Sequence, residues 1–312
     1  MRKACLKQVY ELARADERIF FVGSDLGVGT LDEFRKEMPR RFFMEGIAEA
    51  NVIGIAAGLA LEGKIVYVNT ISTFLTRRCL EQLIVDVALH NLKVRLIGNG
   101  GGLVYAPLGP THQAIDDIAI LRAVPGFAII AAADADEMNR LMPLTVDYPG
   151  PLYIRLAKGF DPVVTTRDRE WAIGRALPYR AGDDALIVTT GITLRMGLEA
   201  AAELEAMGIR TAVLHVPTIK PFDVATLIEQ ARGKQVVVTV EEHTVCGGLG
   251  STVAEALLEG QVAPSRLFKR IGIPDCFAEH YGSQRELMTS FGIDKATVVS
   301  VISAAMKGDG RG

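Results

Sequence analysis

Glu49 is the only ionisable side chain between Gly46 and Leu61, in a run that is otherwise apolar or small apart from Asn51. A helix of that composition is expected to be packed on every side. A carboxyl group at its mouth is then desolvated, which favours the protonated form, and an acid held in that state can donate a proton near neutral pH. The competing role is structural, because an acid in a first helical turn is also favoured by the helix dipole.

Other groups carry similar double readings. His112 follows Gly109 and Pro110, just past the glycine-rich GNGGG at 98–102. An imidazole on such a loop can hydrogen-bond a substrate hydroxyl or carbonyl, or relay a proton, and it can equally cap its own helix. Phe74 and Arg77 lie one helical turn apart and share a face. They form either an aromatic platform for a flat heterocycle or a core Phe beside an Arg with its stem packed down. GNGGG lacks the spacing of a dinucleotide-binding loop and reads as a tight turn. GGLGS at 247–251, after Glu241, Glu242 and His243, reads as a close-packed strand-to-helix turn, with anion binding at the helix start as the alternative.

Positioning these groups takes alternating strands and helices. After an amphipathic helix at the N-terminus, apolar strands are predicted at 19–27, 65–70, 94–102, 127–134 and 151–159. Helices are predicted behind Glu49 and at 72–91, 110–124 and 134–147, the third opened by Pro110 and a Thr111 cap. This is a parallel α/β domain with its functional loops at the carboxyl edge of the strands. A polar stretch over 160–182 reads as a linker. Strands at 185–191, 210–218 and 234–242, with helices at 193–207, 223–232 and 247–260, repeat the alternation in a smaller α/β domain. The resulting division is 1–162, a linker at 163–182, a second domain at 183–305 and a mobile tail at 306–312.

Composition narrows the function classes. Of 312 residues, 49% are hydrophobic and 23% charged, with a formal net charge of −3. That excludes a disordered chain, and it argues against nucleic acid or an anionic membrane surface as partner. A mean hydropathy of +0.24 is high, yet no apolar run reaches bilayer-spanning length, so the excess is assigned to a large subunit interface. The charged N-terminal helix is not a signal peptide, and the four scattered cysteines read as reduced thiols of a cytoplasmic protein. The five histidines show no metal-ligand spacing, so no protein-built transition-metal site is expected.

Taken in order, GSDL (23–26), GIAEANVIGIAAGLALEGK (46–64), STFL (72–75), GPTHQAIDDIAILRAVPG (109–126), PTIKPFD (217–223) and VEEHTVCGGLGS (240–251) resemble the C-terminal half of transketolases. More distantly they are similar to 1-deoxyxylulose-5-phosphate synthases. The resemblance implies two consecutive α/β domains, a pyrimidine-binding domain and a transketolase C-terminal domain. It implies thiamine diphosphate as cofactor and transfer of a two-carbon ketol unit from a ketose to an aldehyde. Glu49 then hydrogen-bonds the aminopyrimidine ring nitrogen and Phe74 packs on that ring. Asp25, Leu26 and Arg77 complete the cofactor set, while His112 faces the substrate. The same layout occurs in β subunits of 2-oxo-acid dehydrogenases, and a non-catalytic partner subunit is the third reading.

One absence and several departures sharpen this. The GDG motif that holds the metal in thiamine enzymes occurs only at 308–310, too near the end to operate. The resemblance therefore implies a separate partner, an N-terminal-section subunit carrying GDG and its Asn, the diphosphate site and Mg2+ (or Ca2+). It implies an α2β2 assembly with active sites between unlike chains. Within the substrate set, an acid usual before GPTH is Leu108 here, and an upstream histidine is Gly100. The histidine that often follows the catalytic Glu is Ala50, and the phosphate-gripping arginine corresponds to Lys158, a less directional anion ligand. An altered substrate follows, an unusual or unphosphorylated sugar.

Overall fold

The computed structural model describes residues 1–24, 29, 31–157, 162–166 and 170–307. Runs rich in Val and Ile form buried strands covered on both faces, as parallel sheets require. In the first half these are β1 (Ile19–Gly23), β2 (Phe42–Met44), β3 (Ile65–Ile71), β4 (Val94–Asn99), β5 (Ala128–Ala131) and β6 (Leu152–Leu156). In the second half they are β7 (Leu177–Arg180), β8 (Ala185–Thr189), β9 (Thr211–His215), β10 (Thr218–Lys220), β11 (Val236–Thr244) and β12 (Leu267–Ile273). The larger sheet has the order β10-β5-β6-β4-β3-β1-β2 and the smaller one β12-β11-β8-β9-β7. Only β10 and β7 run antiparallel to their neighbours.

Around the first sheet lie α1 (Arg2–Ala15), α2 (Asp32–Glu37), α3 (Glu49–Leu61), α5 (Asp117–Arg122) and α6 (Ala135–Leu141). Between α3 and α5, a helical stretch over 72–88, here α4, is built of π turns at Phe74–Arg78 and Leu83–Ala88 around an α turn at Leu80–Gln82. The second sheet carries α7 (Thr193–Ala206), α8 (Val224–Ala231), α9 (Leu249–Glu259), α10 (Gln284–Ser290) and α11 (Lys295–Lys307). Each sheet is thus sandwiched between two apolar clusters, one on each face.

Several sequence expectations change. The 160–182 stretch is not featureless, since β7 lies within it and joins the second sheet. The second half also lends a strand to the first, because β10, from the PTIKPFD segment, pairs with β5. The helix expected from Pro110 begins only at Asp117, and β12, α10 and α11 had no counterpart in the pattern. The α3 helix is not packed on every side: Ala50, Asn51, Gly54, Gly58 and Leu61 stand open to solvent, while Val52, Ile53, Ala56, Ala57 and Ala60 are buried. The stretch Gln284–Lys307 does reach the length and apolarity of a membrane span. It is two helices, however, and they bury Leu287, Met288, Val298, Val299 and Ile302 in the second core.

Candidate active site

The chemistry-bearing residues gather at the carboxyl edge of β2, β3 and β4. Glu49 is the first residue of α3, after the N-cap Ala48, and the one acid in its first turn. It is 4% exposed, and its Oε2 accepts a hydrogen bond from Arg78 Nη1 at 2.7 Å. The acid is therefore paired, where the sequence had placed it in an apolar pocket. Arg78 comes from α4, where the π turn at Phe74–Arg78 puts Phe74 and Arg78 side by side; such turns recur at functional sites. The Arg78 guanidinium carbon lies 4.5 Å from the Phe74 ring centroid, a cation–π contact.

His112 meets Phe74 edge-on, with ring centroids 5.1 Å apart. It sits in a turn and not at a helix start. Gly109 has φ +77°, His112 N–H donates to the Gly109 carbonyl at 3.0 Å, and Thr73 Oγ1 donates to the His112 carbonyl at 3.1 Å. Its Nδ1 pairs with Thr111 Oγ1 at 2.9 Å, which leaves Nε2 as the atom to face a ligand. Arg77 turns toward this turn as well. Its Nε lies 3.0 and 2.8 Å from the two Asp116 carboxylate oxygens, and Nη2 donates to the Gln113 carbonyl at 3.2 Å.

Beneath the turn lies a buried ionic network that the sequence reading passed over. Arg155 pairs with Asp117 at 2.8 Å, Tyr153 donates to the same carboxylate at 2.7 Å, and Arg155 Nη2 donates to the carbonyls of Ala114 and Glu242. Burial works to raise the Asp117 carboxyl, but Arg155 beside it, helped by His243 and Tyr153, holds it below its ordinary value. Gly101 exists to admit this network, since a Cβ there would meet the Arg155 side chain at 2.6 Å. Glu242 accepts from Leu103 N–H at 2.7 Å and from Gln284 Nε2 at 2.9 Å, tying the glycine-rich loop to α10. Burial pushes its carboxyl up to about 7. His243 is pushed down to about 4 by burial, with Nδ1 on the Thr244 carbonyl and Nε2 accepting from Ala119 N–H. Glu241 fills the start of α9, accepting from the N–H groups of Leu249 and Gly250, so the GGLGS turn serves the chain's own carboxylate.

Of the remaining sequence candidates, Leu108 is 51% exposed in a short turn at Ala106–Leu108. Gly100, with φ +78°, faces the ring of Tyr105, and Tyr105 is edge-on to His112 at 6.4 Å. Asp25, Leu26 and Lys158 lie outside the described residues. A cavity of about 800 Å³ lies between α7, α10 and α11 and touches this network only through Gln284. Among the described residues no three His, Cys, Asp or Glu side chains converge as a metal set.

The arrangement fits the aminopyrimidine half of thiamine diphosphate: a buried acid whose Oε1 has no hydrogen-bond partner among the described residues, beside a half-buried aromatic ring. Two consecutive parallel α/β domains with this edge define a class, the thiamine-enzyme architecture of a pyrimidine-binding domain followed by a C-terminal domain. The family description "Transketolase, pyrimidine binding domain" matches residues 1–160, and "Transketolase, C-terminal domain" matches 174–298. The chain belongs to the transketolase family. It is 40% identical to one of the subunits of the apulose-4-phosphate transketolase of Phocaeicola vulgatus, over 94% of this chain and 93% of that protein. It is 35% identical to the 6-deoxy-6-sulfo-D-fructose transketolase subunit SqwH of a Clostridium species, over 96% and 92%. A solved structure described as a split gene transketolase, inactive beta4 tetramer, superimposes with a TM-score of 0.88 at 35% identity, covering 98% of both chains.

Proposed function

We propose that this chain is the C-terminal-section subunit of a split transketolase, moving a two-carbon ketol unit from a ketose donor to an aldehyde acceptor. The observation that carries the reading is the contiguous set Glu49, Phe74 and His112 at one sheet edge of a transketolase fold. Bound thiamine diphosphate supplies the carbanion-stabilising chemistry of the transfer. Glu49 holds and exchanges a proton at Oε1 toward the aminopyrimidine, with Phe74 packed against that ring. Asp25 and Leu26 complete the cofactor contacts. His112 Nε2 hydrogen-bonds the sugar, and Arg77 holds the His112 turn through Asp116. Glu49 itself is only 4% exposed, which limits water at its carboxyl group.

The partner is a second polypeptide that carries the diphosphate-binding domain with its GDG…Asn motif and Mg2+, in an α2β2 assembly. The open, small-residue face of α3 supports packing against another chain, as does a relative described as an inactive tetramer of β chains. The sugars in the relatives' names, apulose 4-phosphate and 6-deoxy-6-sulfo-D-fructose, support an unusual sugar as substrate, with Leu108, Gly100 and Lys158 as the positions that depart from the usual set. The test is co-expression with an N-terminal-section transketolase subunit from the same genome, followed by assay with thiamine diphosphate and Mg2+. Ketol transfer by the pair, and no tight cofactor binding by this chain alone, is expected. Decarboxylation of pyruvate without ketol transfer, or tight binding by the isolated chain, overturns the reading.

A further inference from the structure

The series Glu49–Arg78–Phe74–His112–Tyr105 leads away from the buried acid through an ion pair, a cation–π contact and two edge-on ring contacts. Tyr105 is the last member of the series, and its seat is built. A Cβ at Gly100 would lie 2.1 Å from Cε2 of the Tyr105 ring, so the glycine exists to let the ring lie flat on the backbone at the carboxyl edge of β4. The same device recurs on the other side of the loop, where a Cβ at Gly109 would lie 2.6 Å from Tyr281 of the second domain. Leu108 stands between the two seats, its N–H on the Tyr105 carbonyl at 2.8 Å and its side chain half exposed. The loop itself is fixed from below by Glu242 on Leu103.

From this we infer that Tyr105, Leu108 and Tyr281 form an uncharged specificity wall that grips the part of the sugar beyond the two-carbon unit. The inference rests on the ketol-transfer reading and adds to it the recognition of the acceptor's distal carbons. Two aromatic rings and a leucine offer surface to the C–H face of a carbohydrate and a phenol to its hydroxyls, and they offer no cation to a phosphate. Of the three wall residues Tyr105 is the one in ring contact with His112, so it reads the third and fourth carbons of the acceptor, which glycolaldehyde lacks.

The experiment uses the assembled pair with its cofactor and compares two acceptors, glycolaldehyde, which has no distal carbons, and erythrose, which does. Tyr105→Ala raises KM for erythrose about 10-fold or more, the scale on which a pocket reads a missing apolar contact, with kcat little changed. Its KM for glycolaldehyde stays close to that of the unsubstituted enzyme. Tyr105→Leu removes the ring with a smaller loss of volume, raising the erythrose KM by about threefold to tenfold. This variant carries the test where the alanine form does not fold, as judged by its unfolding midpoint. Equal effects on both acceptors, or no effect on either, overturn the wall while leaving the ketol-transfer reading in place. An unsubstituted pair that transfers no ketol unit to any acceptor overturns both.

Discussion

The Arg78 guanidinium lies 2.7 Å from the buried carboxylate of Glu49 and, on its other side, over the ring of Phe74. One side chain thus engages both groups assigned to the aminopyrimidine. It satisfies an acid that is only 4% exposed, although it is itself half exposed.

Removing that partner leaves a buried acceptor without a donor, at a cost of about 1 to 3 kcal/mol, with the lower end favoured by the exposure of Arg78. Arg78→Met is therefore expected to lower the free energy of urea unfolding, and Glu49→Gln in the same chain to recover part of the loss. A single variant as stable as the parent chain counts against the ion pair as a structural contact.

Arg77 and Asp116 act as one clasp on the His112 turn, with Nε between the two carboxylate oxygens. Arg77→Ala and Asp116→Ala are each expected to reduce kcat/KM of the assembled enzyme. The double variant should be no worse than either single one, because both release the same turn. Additive losses in the double-mutant cycle would show that Arg77 also works elsewhere.

Asp117 is fully buried, and Arg155 is 8% exposed against it. Deleting one partner of a buried pair typically costs about 3 to 5 kcal/mol, since the other charge is left uncompensated. Asp117→Ala should accordingly unfold at much lower denaturant concentration than Glu37→Ala, whose carboxylate is half exposed. Similar midpoints for the two variants contradict this account of the network.

Glu242 gives the stability a pH dependence of definite sign. Burial raises its carboxyl from 4.5 to about 7, so between those values the folded chain holds a proton that the unfolded chain has lost. Its contribution is complete below about pH 4.5 and disappears as pH rises through 7, at up to about 1.4 kcal/mol per pH unit. Glu241, also raised to about 7 by burial, adds the same slope, while His243, lowered to about 4, costs stability as pH falls from 6.5. Stability measured from pH 5 to 8 should therefore fall less steeply for Glu242→Gln than for the parent chain. Parallel curves count against the buried, proton-holding state.

The strands and the family were legible because buried parallel strands read as unbroken apolar runs, and because GIAE, STFL and GPTH stand in order. The parts that escaped share a physical reason. Arg78 reaches Glu49 from a π turn of α4 at Phe74–Arg78, and nothing in FLTRR marks that turn apart from an ordinary helix. His112 sits in a turn because Asp116 is held by Arg77 and Gly102 N–H bonds the Ala114 carbonyl, tertiary contacts that override the helix signal of Pro110 and Thr111. Tyr105 gave no local cue, yet the adjacent glycines of GNGGG were its trace: they make room for Tyr105, Arg155 and Glu242. β10 leaves its own half of the chain for the other sheet, a pairing that no short-range pattern encodes.

The most direct measurement is ketol transfer by the assembled pair carrying Glu49→Gln, at saturating thiamine diphosphate and Mg2+. The substitution keeps the shape of the side chain and removes its exchangeable acid proton. A fall in kcat of about 100-fold or more, the usual worth of a positioned acid–base group, with the unfolding midpoint retained, is the expected result. Undiminished transfer would contradict the assignment of Glu49 as the cofactor-activating acid.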